Sequence, residues 1–198
     1  MTVLATGRLM LRPLARGDLP ALEGLFADRA HMWDLMDIPG RSSDPGDLAR
    51  YYLERSLWAF ERHGAGMWGM LEKDRNDAPI MGYTGFVMDI GDDVNPAERL
   101  EAGWAIARQA AGRGHAAEAT ERILEYAFVD LGTHSIQAIT SPHNLASRRL
   151  MSRLGFTYDR DVVAYQGPQV LYTISRQDWL AGRRSPGHRG GVCRQASW

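Results

Sequence analysis

Glu101-Ala-Gly-Trp104-Ala-Ile106-Ala-Arg-Gln109-Ala-Ala-Gly112-Arg-Gly114-His-Ala-Ala-Glu118 decides how this chain folds. The first half reads as a strand, and the second half opens the strongest amphipathic helix pattern in the sequence. Between them lies a loop with two glycines. Glycine adopts backbone angles closed to other residues and lets a ligand approach the main chain. The first turn of the helix adds unpaired N–H groups and the positive end of the helix dipole. Strand, glycine loop and helix N-terminus together make a cradle for phosphate. A tight strand-to-helix turn without a ligand could use the same two glycines, so the surrounding sequence has to decide.

Two competing phosphate motifs fail on detail. A Walker loop needs a Gly-Lys pair, and Lys73 is the only lysine in the chain. A dinucleotide fingerprint needs a third glycine where Ala117 stands. It also needs a parallel sheet. Here Met67-Trp-Gly-Met-Leu71 and the run from Ile80 to Met88 flank a turn at Lys73 to Pro79, which reads as an antiparallel hairpin.

Working outward, Arg8-Leu-Met-Leu-Arg12 reads as a first strand stopped at Pro13. Asp18 stands where it could cap a helix through Leu19, Leu22, Leu25 and Phe26. A second helix is expected after Asp47, and a fourth strand from about Glu98 to Ala107. In the helix after the loop, Ala116, Thr120, Ile123, Leu124, Ala127 and Leu131 share one stripe. Glu118 and Arg122 are spaced to pair on its other face, and Gly132 stands where a terminating glycine belongs. His134 to Thr140 reads as a short strand. Asn144 caps a helix through Leu154 that Gly155 stops, and Phe156 to Ser175 gives two strands around Gly167-Pro168. The expectation is an α/β (α+β) fold with a mixed sheet of about seven strands and about four helices.

The 198 residues suffice for one hydrophobic core. A single domain is expected over residues 1–182. The run 183–198 holds Arg183, Arg184, Arg189, Arg194 and several Gly/Pro but no acid, and reads as a mobile tail. Charges nearly cancel, 23 basic against 24 acidic, so nothing electrostatic points to nucleic acid. No run is apolar enough to span a membrane, and no leader peptide is apparent. The lone Cys193 lies in the Arg-rich tail, which fits a reducing cytoplasmic setting better than a catalytic thiol. The six histidines show no metal-ligand spacing, so no metal is expected.

Three motifs in this order resemble the GNAT N-acetyltransferase family. Its cofactor loop, [QR]-x-x-G-x-[GA], is matched by Gln109, Gly112 and Gly114. Its downstream pattern is matched by Asn144-Leu-Ala-Ser147 ahead of Leu154-Gly-Phe156. Arg8-Leu-Met-Leu-Arg12-Pro13-Leu14 resembles the opening strand of the branch that acetylates ribosomal-protein N-termini. The resemblance runs from residue 7 to about 175.

It implies a mostly antiparallel sheet splayed between its fourth and fifth strands, with acetyl-CoA in the gap. Backbone groups near Trp104, Ala105 and Ile106 would hold pantetheine and the thioester oxygen. The amides of Gln109 to His115, including Gly112, Arg113 and Gly114, would take the pyrophosphate, with the His115 ring at the surface. Asn144 would touch the pantetheine arm besides capping its helix. Many relatives carry a tyrosine as proton donor to the leaving thiolate where this chain has Met151, and Ser147 is the candidate in its place. Glu101, on the strand face shared with Gly103 and Ala105, is the candidate base. Asp159, Asp161 and a water relay are its rivals.

The acceptor would be a primary amine, either a protein N-terminus or a small molecule. It would lie against the segment from His31 to Trp68, which carries Trp33, Met36, Tyr51, Tyr52, Trp58 and Met67. Either a monomer or a homodimer is compatible. The absent tyrosine also leaves room for a module that binds acyl-CoA without turning it over.

Overall fold

A computed structural model describes residues 2–32, 42–75, 77–88, 95–165 and 167–184. Eight strands form one sheet in the order β1-β2-β3-β4-β5-β6-β8-β7. They are β1 (Leu4–Ala5), β2 (Leu9–Pro13), β3 (Met67–Glu72), β4 (Gly82–Val87), β5 (Arg99–Ile106), β6 (Ser135–Thr140), β7 (Thr157–Ala164) and β8 (Gly167–Ser175). Neighbouring strands run antiparallel except β5 and β6, which are parallel. The helices are α1 (Leu19–Ala27), α2 (Pro45–His63), α3 (His115–Glu125), α4 (Leu145–Arg153) and α5 (Arg176–Arg184). The expected mixed, mostly antiparallel sheet is therefore present. It gains one strand from the short β1 and one helix from α5, which extends to Arg184 into the stretch expected to be tail. Residues 185–198, including Cys193, lie outside the described residues, as do Trp33 and Met36.

Strand alternation divides the core in two. Leu9 and Leu11 of β2, Leu100 and Ala102 of β5, and Ile136 and Ala138 of β6 turn to one face, where Ala119, Ile123 and Leu124 of α3 cover them. The opposite face carries Met67, Tyr83 and Ala105 beneath α1 and the first half of α2. Trp68 is fully buried in the first core, edge-on to Phe60 at 4.6 Å and to Tyr126 at 5.5 Å, and its indole N–H donates to the Thr2 carbonyl at 2.9 Å. That bond satisfies the one polar atom the ring brings into the interior.

Local expectations shift where a distant partner competes. Asp18 precedes α1 but does not cap it. Its buried carboxylate instead takes both guanidinium nitrogens of Arg12 at 2.7 Å and the Ala15 amide at 2.8 Å. This pins the end of β2 to the start of α1 and raises the Arg12 pKa through the Asp18 hydrogen bond. Helix α2 begins at Pro45, ahead of the start expected after Asp47, because Asp44 caps it by accepting the Asp47 amide at 3.0 Å. Glu118 does not pair with Arg122, which lies 3.8 Å from Glu125 instead. Gly132 (φ 69°) and Gly155 (φ 91°) stand in the left-handed region beyond their helices, as the sequence led us to expect. Among the described residues no helix is long and apolar enough to cross a membrane.

Candidate functional site

Strands β5 and β6 pair only over Arg99↔Ser135, Leu100↔Ile136 and Glu101↔Gln137, then part. Their C-terminal ends lead into the glycine loop with α3 and into the cap of α4, so two helix N-termini stand at the open end of the gap. A parallel pair that diverges toward its C-terminal end is a natural ligand crevice in an α/β sheet.

The backbone along the gap sorts by register. Ala107 N–H donates to the Met81 carbonyl at 2.8 Å, and Ala105 lies opposite Tyr83. By the two-residue period, the N–H and C=O of Ala105 face β4, whereas those of Trp104 and Ile106 face the gap. Ala105, grouped with its neighbours on sequence, is thus spent on the sheet. The Ile106 carbonyl already accepts from His31 Nε2 at 2.8 Å, which leaves Trp104 as the main-chain edge open to a strand-like ligand.

The loop then turns through Gly112 (φ 77°) and Gly114 (φ 81°), both left-handed. Any other residue at these angles would be strained. Gln109 is exposed in a short turn at Arg108–Ala110, where Arg108 grips Asp28 through two bonds of 2.7 and 2.8 Å. Glu118 makes the first amide bond of α3, to the Gly114 carbonyl at 3.0 Å. Among the described residues, the amides from Gly112 to Ala117 donate to no backbone carbonyl. They lie in the loop and first helical turn where the sequence places an anion cradle. The His115 ring is buried (7% exposed), not at the surface as expected, and its Nδ1 has no partner among the described residues.

Arg8, quoted above only as part of a strand, braces this loop. Its guanidinium reaches the Arg113 carbonyl at 3.0 Å and the Glu118 carboxylate at 2.6 Å, and its amide donates to the same carboxylate at 2.9 Å. Thr6 Oγ adds a fourth bond, to Glu118 at 2.5 Å. Burial alone would raise the Glu118 pKa, but the bonds from Thr6 and Arg8 outweigh it and hold the carboxyl below its usual range. Arg8→Ala should therefore weaken CoA binding about fivefold while leaving the fold intact, since a partly exposed ion pair contributes only about 1 kcal/mol. Isothermal titration would measure this. A depressed carboxyl pKa means that the brace is complete above the ordinary glutamate range and is lost as pH falls through the lowered value. Acidification should therefore mimic the substitution.

Asn144 and Ser147 sit across the gap. Asn144 Oδ1 accepts the Ser147 amide at 3.0 Å, so the cap is real and the amide nitrogen of Asn144 stays available. Ser147 is half-buried, and its Oγ makes no hydrogen bond among the described residues. Ser152 on the same helix does fold its hydroxyl back, onto the Arg148 carbonyl at 3.1 Å. Met151 is 1% exposed within the core, so nothing from that position is presented to the gap.

On the α2 face, Glu101 stands at the last paired position before the strands part. Gln137 Nε2 donates to its Oε2 at 3.0 Å, and the hydroxyl of Tyr165 donates to its Oε1. Tyr165 occupies the β7–β8 hairpin tip with φ 50°, and it is the sole non-glycine residue with positive φ among those described. Burial, and then the Glu101 charge, push its phenol far above the ordinary tyrosine range, so it stays a donor. Beside Glu101, opposite Val87, a small cavity is lined by Val87, Tyr52, Arg55, Ser56 and Met67. Arg55 is buried, donates to the Met88 carbonyl at 2.9 Å, and lies 4.8 Å over the Tyr51 ring.

Of the expected acceptor wall, Tyr52 and Met67 are core residues that reach this cavity, Tyr51 is partly exposed, and Trp58 packs into the opposite core. Asp159 and Asp161 lie on the exposed edge strand β7, engaged by Arg160 and Tyr158. Sequence reading missed Arg8 as a brace and missed Gln137 and Tyr165 altogether. Among the described residues no cluster of His, Cys, Asp and Glu could hold a metal.

The acetyltransferase (GNAT) domain family matches residues 8–157. The chain is similar to the uncharacterized N-acetyltransferase p20 of Bacillus licheniformis, with 30% identity over 158 residues, 79% of this chain and 83% of that one. It is similar to the [ribosomal protein uS5]-alanine N-acetyltransferase of Escherichia coli (strain K12), with 25% identity over 190 residues, 91% and 94% of the two chains. Its fold matches RimL, a ribosomal L7/L12 α-N-protein acetyltransferase solved in complex with coenzyme A. That match has a TM-score of 0.71 and 14% identity, and covers 88% of this chain and 98% of RimL.

Proposed function

This chain belongs to the GNAT acetyltransferase family and is an N-acetyltransferase, and we propose that it moves an acetyl group from acetyl-CoA to a primary amine by direct attack on the thioester. The observation that carries this reading is the parting of β5 and β6 after Glu101↔Gln137, with a cradle of free amides at the open end. A phosphate-bearing ligand with an extended, strand-like arm fits that shape.

In the proposed reaction Gly112 to His115 bind the pyrophosphate, with Gln109 and Arg113 at the rim. Pantetheine pairs with the backbone of Trp104, whose edge is open to it, and meets Asn144 on the other side. Holding the thioester beside the amine makes the encounter effectively unimolecular. Glu101 takes a proton from the incoming ammonium. The neutral amine then forms a C–N bond as the C–S bond breaks; Ser147 gives its proton to the CoA thiolate and regains one from the acylated nitrogen, and Glu101 releases its proton to solvent. The amine approaches Glu101 from the face of the sheet that carries Tyr52 and Val87. The ribosomal-protein relative favours a protein N-terminus as acceptor, and the site is proposed to work in the cytosol on such an amine.

Thiol release from acetyl-CoA tests this, with peptides beginning in Ala or Ser beside a panel of small amines. Release with none of them, despite CoA binding, would replace the enzyme reading with that of a binding module. Ser147→Ala is expected to lower kcat about 100-fold with little change in acetyl-CoA affinity. A wild-type rate would remove Ser147 from the mechanism.

A further inference from the structure

We propose that Tyr165 is a positioning residue that clamps the Glu101 carboxylate at the fork of β5 and β6 and makes it a competent base; this rests on the assignment of Glu101 above. Three observations carry it. The first is place. Glu101↔Gln137 is the last register pair before the strands part, so the carboxylate stands at the inner end of the gap. The second is the completeness of the grip. Gln137 holds one oxygen and Tyr165 the other, so the carboxylate cannot swing about its final torsion.

The third observation is backbone geometry. Tyr165 is bulky and stands at φ 50°. That angle costs a non-glycine residue on the order of 1 kcal/mol or more, and asparagine or glycine would fill such a hairpin tip without it. What the strained conformation achieves is to carry the ring from the β7–β8 tip to β5, across 64 residues of sequence. A tyrosine retained for packing alone would not need its hydroxyl on the carboxylate. Glu101 loses rotational freedom before substrate arrives, and the ammonium proton meets an oxygen already in place.

Tyr165→Phe keeps the ring and removes only the donor. Assayed with the amine that gives the fastest thiol release in the panel, it should lose about tenfold in kcat while the KM for acetyl-CoA stays unchanged. The acid limb of the rate profile should move to higher pH, because a hydrogen bond that favours the ionised carboxylate is gone. The double variant with Glu101→Gln should be no slower than Glu101→Gln alone. Full activity and an unmoved profile in Tyr165→Phe, beside a crippled Glu101→Gln, would overturn this inference and leave the base assignment standing. An active Glu101→Gln would overturn both. Tyr165→Asn, which suits the left-handed angle, separates the strain from the hydroxyl: it should fold and still lose kcat, and a wild-type rate from it would count against the clamp.

Discussion

Gly114→Glu should abolish acetyl-CoA binding while the protein still folds. Gly114 stands at φ 81°, and a Cβ there would meet nothing closer than an Arg8 guanidinium nitrogen at 3.5 Å. There is space for a side chain, and the penalty comes from conformation and charge. A left-handed non-glycine residue costs about 1–3 kcal/mol. A carboxylate beside a bound pyrophosphate adds a like-charge penalty of several kcal/mol. The first cost falls on stability and the second on binding; at about 3 kcal/mol or more, the like-charge term alone is a loss of more than about 100-fold in affinity. Arg8 offers little relief, because its guanidinium is already committed to Glu118 and the Arg113 carbonyl. The measurement is paired. A ligand that binds only the folded state raises its melting temperature, so acetyl-CoA should stabilise the native protein and leave the variant unmoved. Equal stabilisation of both would mean that the phosphates lie elsewhere.

Glu101→Gln is expected to lower kcat/KM by about 100- to 1000-fold, the range that a positioned general base contributes. The substitution preserves shape and retains an acceptor oxygen for Tyr165. It also places an amide opposite the Gln137 amide, so the native bond to Oε2 survives only if one amide flips. Because Glu101 lies off the backbone edge that faces the gap, acetyl-CoA affinity should hold. The pH dependence is the more discriminating readout. With a dedicated base the acid limb of the profile disappears in the variant. With a water relay it stays, at a rate close to native.

The family-level reading was legible because its signals are short-range. Gln109, Gly112 and Gly114 report one loop, and the loop's angles depend on residues within one turn of one another. The helix stripe after it and the cap at Asn144 are likewise local, and both appear in the structure. Expectations went astray where a side chain had a choice of partners. Asp18 had a helix to cap and took Arg12 instead. Glu118 had Arg122 one turn away and took Arg8. In each case a bidentate or multiply bonded partner from another element outcompeted a single local bond. His115 looked like surface because nothing in its sequence neighbours signals the burial that the fold gives it.

What the sequence by itself determined is the two-glycine loop between strand and helix and the mixed sheet around it; Glu101 and Ser147 as proton carriers, and the opening of that sheet, are expectations from the family resemblance. The loop and the sheet rest on dihedral preference and periodicity, which travel with the chain. What only the tertiary structure decided is which backbone edges face the gap and who holds whom. Trp104 and Ile106 are separated from Ala105 by the β4–β5 register. Arg8 meets Glu118 across 110 residues, and Tyr165 meets Glu101 across 64. The physical reason is that side-chain bonds between strands follow from pairing order and register. Those are set by the packing of the whole sheet, and no local stretch of sequence records them.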